Sequence, residues 1–183
     1  SGGGPLIDLG VHVIDLARYL MGNPNPVSAF GATFSGMGVR ANIRGIDRYR
    51  AADFSDFCDV EDLATALVRF DNGAVMAVET SYSLEIREDT GSVQLFGTKG
   101  GASIDPAFEI HTEMENRLVD LAPRVTKGAD WFESIFRREI AHFADCVANG
   151  VPCRSPAEDG VALMRIIDGI YESARTGREV TLA

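Results

Sequence analysis

LATALVRFDNGAVMAVETSYSL, running from Leu63 to Leu84, decides the fold class of this 183-residue chain. Asp71-Asn72-Gly73 splits it into two runs. Asn-Gly supplies the positive φ angles of a tight hairpin, so Leu63 to Phe70 and Ala74 to Leu84 are predicted to pair as antiparallel strands. In the second run Ala74, Met76, Val78, Tyr82 and Leu84 share one face, while Glu79, Ser81 and Ser83 share the other. That alternation predicts a sheet with one buried face and one semi-polar face.

The same logic extends outward. Residues 27–34 read as a strand, 92–97 and 101–105 as a hairpin around Thr98-Lys99-Gly100, and 108–113 and 117–121 as short strands. Ahead of them, Val11, Ile14, Ala17 and Leu20 recur at helical spacing, and Met21-Gly22-Asn23-Pro24 is a helix stop. A helix is predicted over 8–21, with Asp8 as its N-cap or first-turn acid. Near the C-terminus Phe132, Phe136, Ile140, Phe143 and Val147 form an apolar helical stripe that ends at Asn149-Gly150. Trp131 opens that helix and reads as a core anchor. A second helix starts at Ser155-Pro156, with Glu158 completing a capping box, and stops at Thr176-Gly177. Residues 179–182 close the chain as a strand. Helix, strands, then helices predicts an α+β fold: a mostly antiparallel, open-faced sheet with helices packed on one face, in one domain over 1–183.

Composition narrows the function. There are 27 acidic and 17 basic residues, for a net charge of −10, and Lys99 and Lys127 are the two lysines. That balance argues against a nucleic-acid partner, which calls for a basic patch. No apolar run reaches the roughly 18–20 residues of a membrane helix. Cys58, Cys146 and Cys153 are too few for a disulfide framework, Cys146 reads as a small buried hydrophobe, and no Cys/His spacing suggests a metal. A cytoplasmic setting is the expectation. The chain opens Ser-Gly-Gly-Gly-Pro without methionine, which reads as a cut, so any targeting segment is out of view.

The strongest chemical constellation is Asp8, His12, Asp15 and Tyr19, a polar stripe on the first helix. Asp8 and His12 stand at i,i+4 and can hydrogen-bond; a carboxylate fixes the imidazole tautomer and suits His12 to general-base work. Gly10 between them leaves room for a ligand near the backbone. The plainer alternative has Asp8 capping and His12 at the helix surface. Residues 35–57 show no period and carry Arg40, Arg44, Arg48 and Arg50, which either bind an anionic substrate or balance Asp47, Asp53 and Asp56 in a solvated loop. Gly2-Gly3-Gly4 lacks the third glycine and preceding strand of a dinucleotide fingerprint. Gly97-Thr98-Lys99-Gly100-Gly101 reads as a hairpin turn. His111 is expected half-exposed on a strand, and His142 packed on its helix.

Gly2-Gly3-Gly4-Pro5-Leu6-Ile7-Asp8-Leu9-Gly10-Val11-His12-Val13-Ile14-Asp15 closely resembles the Gly-Gly-Gly-x-Leu-x-Asp-x-Gly-x-His-x-x-Asp signature of the Gfo/Idh/MocA oxidoreductases, the glucose–fructose oxidoreductase and inositol dehydrogenase family. Val60-Glu61-Asp62, Arg69 to Ala74, Phe96 to Gly101, Glu139 to Phe143 and Ser173 to Gly177 resemble the same family in order. The resemblance implies that this chain is the C-terminal substrate-binding and oligomerisation domain. It also implies an NAD- or NADP-binding Rossmann domain, with a catalytic lysine, that is missing from this chain. It implies catalytic roles for His12, assisting removal of a substrate hydroxyl proton, and for Asp8, orienting lysine or substrate. The parent is then expected to move hydride between a nicotinamide and a sugar, sugar acid or polyol hydroxyl. The chain by itself is expected to bind no NAD(P) and to be inactive. Arg40 and Arg44 are weak substrate-binding candidates, Gly10 a weak cofactor contact, and no metal is expected. Family members usually have a strand ahead of the glycine triplet; without it the sheet exposes an edge. A homo-oligomer is expected through the open face around Glu79, Ser81 and Ser83. The alternative is a non-catalytic oligomerisation or binding module on the same scaffold.

Overall fold

The computed structural model describes residues 3–37, 58–88, 90–105, 107–124 and 128–182. The chain divides into two compact units, 1–89 with 158–183, and 90–157. The class is α+β as the pattern predicts, but the strands form two four-stranded antiparallel sheets rather than one.

In the first unit β1 (Pro26–Phe34), β2 (Leu63–Phe70), β3 (Val75–Ser81) and β8 (Val180–Thr181) lie in the order β3-β2-β1-β8. The hairpin forms as predicted: Leu63 pairs with Ser81 and Val68 with Met76, around Gly73 at φ 85°. Strand alternation puts Ala29, Ala64, Ala66, Val68, Phe70, Met76 and Val78 on the inner face. Two helices cover that face, α1 (Val11–Leu20) through Ile14 and α3 (Ala157–Thr176) through Leu163, Ile166, Ile167 and Ile170. Ile14, Ile166, Ile167 and Ile170 are fully buried, each stabilising by about 1.5–3 kcal/mol relative to exposure. Arg18 on α1 is 3% exposed. Its guanidinium donates to the carbonyls of Pro24 (3.0 Å) and Asn23 (3.3 Å) and pairs with Asp159 in the first turn of α3 at 2.9 Å.

The outer face differs from the semi-polar surface expected around Glu79, Ser81 and Ser83. Phe30 stands opposite Leu67, which stands opposite Ala77, and Phe30, Phe34, Leu67 and Val75 are each about half exposed. The expectation followed β3 alone; β1 and β2 make the middle of that face apolar.

In the second unit β4 (Val93–Gly97), β5 (Gly100–Asp105), β6 (Glu109–Met114) and β7 (Arg117–Leu121) pair consecutively as a meander. The helix α2 (Trp131–Asn149) ends at Gly150, whose φ of 68° is the left-handed C-terminal turn predicted for it. Its apolar stripe is present but open, from 49% exposed at Phe136 to 73% at Val147. Phe132 and Phe136 stack edge to face at 5.1 Å. Trp131 is 41% exposed, not a core anchor.

Candidate active site

The first helix begins before Asp8. A five-residue π-helical segment, Leu6–Gly10, runs straight into α1, and Pro5 precedes it in helical geometry. Of the two roles the sequence allows it, Asp8 is therefore the first-turn acid and not the cap. The cap comes from far away in sequence: buried Glu61 accepts the Leu6 backbone N–H at 3.1 Å. This satisfies one of the helix's unpaired first-turn donors and sets a carboxylate against the positive end of its dipole. The same Oε1 accepts the Tyr171 hydroxyl of α3 at 2.9 Å. A Cβ on Gly4 would collide with the Glu61 carboxyl. Gly4 is thus required by the acid that caps the helix.

Strand β3 grips the π segment from the side. Thr80 Oγ1 donates to the Pro5 carbonyl at 3.1 Å. Gly10 is buried, and a Cβ there would sit 3.2 Å from the Thr80 methyl and 3.3 Å from Leu6. Close packing against the strand accounts for Gly10, which was read from the sequence as room for a ligand. Just past β3, the Tyr82 hydroxyl donates to Asp8 Oδ2 at 2.6 Å. Loss of hydration, then the hydrogen bond to Asp8 and the negative charge of Asp8 and Glu61, push the Tyr82 phenol up to about 12. Burial first, and then Glu61, likewise push the Tyr171 phenol up.

Asp8 on this turn and His12 at the start of α1 are both exposed. The hydrogen bond expected between them is not among the bonds of the described residues; Asp8 is held by Tyr82 instead. A π turn carries more residues than an α turn, so i,i+4 spacing across it does not set the side chains as α geometry would. Neither Asp8 Oδ1 nor the His12 ring has a hydrogen bond among those of the described residues. π turns of this kind are frequent at functional sites.

Asp62, next to Glu61, secures the start of the aperiodic 35–57 segment. Its Oδ2 accepts the backbone N–H of Gly36 (2.5 Å) and of Met37 (2.6 Å). Arg40, Arg44, Arg48 and Arg50 lie outside the described residues. The sequence reading missed Tyr82 as a polar site residue, having placed it on the apolar face. Glu61, Asp62 and Tyr171 were missed as well, although Val60-Glu61-Asp62 was among the family-like stretches.

Two further histidines sit in the second unit. His111 is half-exposed as expected; its Nδ1 lies 2.7 Å from an Asp120 oxygen and its Nε2 3.2 Å from Ser103 Oγ, across three neighbouring strands. His142 and Cys146, expected to be packing residues, are only half-buried and meet Cys153.

An α+β domain whose first helix opens on a π turn presenting a carboxylate, with an imidazole in the α turn that follows, is the class these features define. A family model described as the C-terminal α/β domain of an oxidoreductase family matches residues 1–182, and the chain belongs to that Gfo/Idh/MocA family. D-glucoside 3-dehydrogenase of Escherichia coli K12 is 32% identical over the whole chain, which covers 50% of that protein. D-xylose 1-dehydrogenase (NADP(+)) 2 of Haloferax volcanii is 30% identical, with 98% of this chain and 48% of that one covered. The chain thus spans about half the length of the curated relatives it matches. Among solved structures, levoglucosan dehydrogenase in complex with NADH and L-sorbose superposes with a TM-score of 0.75 at 23% identity, over 100% of this chain and 51% of that one. Aldose-aldose oxidoreductase of Caulobacter crescentus does so at 0.71 and 24%, over 100% and 48%. At these identities the superpositions establish the fold.

Proposed function

We propose that this chain is the substrate-side domain of an NAD(P)-dependent oxidoreductase that oxidises a hydroxyl of a sugar, sugar acid or polyol. The observation that carries the reading is the exposure of Asp8, on a π turn held by Glu61, Thr80 and Tyr82, and of His12, in the first turn of α1 just after it, both within the family's signature. The names of the relatives, sugar dehydrogenases, support the substrate class.

The His12 imidazole takes the proton from the substrate hydroxyl as the carbon–oxygen bond gains double-bond character. Asp8, pinned through Oδ2, turns Oδ1 toward the substrate and fixes its orientation. A nicotinamide, when bound, supplies the acceptor for the hydride that leaves the same carbon. The described residues do not build a cradle for its dinucleotide: Gly4 lies against Glu61 and Gly10 against Thr80. The relatives are about twice as long as this chain, and with the dinucleotide site in that other half the 183-residue chain alone should turn nothing over. Positioning of the two halves supplies much of the rate in such reactions.

The test is an initial-rate assay of the whole protein against a panel of sugars, sugar acids and polyols with NAD and with NADP. Substrate-dependent formation of reduced cofactor is expected from the whole protein and none from this chain alone. No turnover with any pairing would favour a binding or assembly module, a reading that the apolar open sheet face also suits.

A further inference from the structure

Three soft donors that the proposed site does not use converge in the second unit. His142 and Cys146 stand one turn apart on α2, and Cys153 returns toward them on the segment after the Gly150 turn. His142 Nε2 and the two Sγ atoms all lie within 4.8 Å of one another. The His142 Nε2 to Cys146 Sγ separation is 3.6 Å. Tetrahedral zinc, with Zn–N of about 2.0–2.1 Å and Zn–S of about 2.3 Å, sets nitrogen and sulfur donors about 3.6 Å apart. One edge of the coordination polyhedron is therefore already in place.

The imidazole is in the form a metal needs. The Arg154 backbone N–H donates to Nε2 at 3.1 Å, so the lone pair is on Nε2 and the ring proton on Nδ1. That amide is exposed and can turn to water when a cation takes the lone pair. None of the cysteines is in a disulfide. A bound dication would hold both sulfurs as thiolates. Two thiolates and an imidazole select a soft or borderline cation over magnesium or calcium.

We propose that His142, Cys146 and Cys153 form a three-donor site for a thiophilic divalent cation, zinc, with the fourth position left to water. It shares no residue with the Asp8–His12 site and stands whether or not the oxidoreductase reading does.

The test uses the whole protein, reduced and freed of metal. Titration with Zn²⁺ is expected to protect Cys146 and Cys153 from alkylation, mapped by mass spectrometry, while Cys58 alkylates at the same rate with and without metal. Co²⁺ in place of zinc should give thiolate charge-transfer and tetrahedral ligand-field absorption. Cys146→Ser and Cys153→Ser should each weaken binding by about 100-fold or more, beyond the 10–100-fold of losing a mere supporting partner; Cys58→Ser should leave it unchanged. Equal alkylation of Cys146 and Cys153 with and without zinc, or an affinity indifferent to both substitutions, would overturn the proposal.

Discussion

Asp8 is a helical residue whose carboxylate is occupied on one oxygen by Tyr82, and this single bond sets the character of the turn. A phenol whose pKa is raised on folding stabilises the folded form fully below its ordinary value of 10.0, and that contribution is lost as the pH climbs through about 12. Spectrophotometric titration of the protein should therefore show a phenolate step near pH 12 that Tyr82→Phe removes. A spectrum that Tyr82→Phe leaves unaltered in that region would mean the Asp8 bond is not kept in solution. Glu61 acts at the same scale: one buried oxygen serves a helix amide and the Tyr171 phenol, and it explains why position 4 is glycine.

At the scale of elements, α1 and α3 are joined by Arg18 and Asp159 across the edge of the core. Removing one partner of a buried pair leaves the other charge uncompensated, at a cost of about 3–5 kcal/mol. Asp159→Ala should lower the unfolding free energy from denaturant titration by about 3 kcal/mol, since Arg18 retains its two carbonyl acceptors; a loss below about 1 kcal/mol, the usual worth of an exposed pair, would refute this. The strands and helices were legible because alternation, Asn-Gly and the glycine stops are local signals. The start of the first helix was not. Its cap is Glu61, 55 residues from Leu6, so spacing around Asp8 gave that residue's place in the first turn but not the distant carboxylate that caps the helix. The π geometry was hidden for the same reason: strand contacts at Thr80 and Gly10 accompany it, and no sequence period encodes those. The His142–Cys146–Cys153 cluster escaped notice because two donors share a helix face while the third returns through a glycine turn.

At the scale of the molecule, the open face of the first sheet is apolar where β1 and β2 meet. Burying that face between copies would remove Phe30, Phe34, Leu67 and Val75 from water, and self-association through it is the expected assembly. Static light scattering should give a multiple of the chain mass, reduced to a single chain by Leu67→Glu; a wild-type monomer at high concentration, or a mass that Leu67→Glu leaves unchanged, would contradict it. In the function proposed above, His12 takes the proton of a sugar-like hydroxyl. Steady-state kinetics of His12→Ala in the whole protein, read beside its thermal midpoint, tests this most directly. A general base contributes about 10²–10⁴-fold: kcat should fall by that much with the midpoint nearly unmoved, whereas a kcat within a few-fold of wild type, or a loss of stability as large as the loss of rate, would contradict the account.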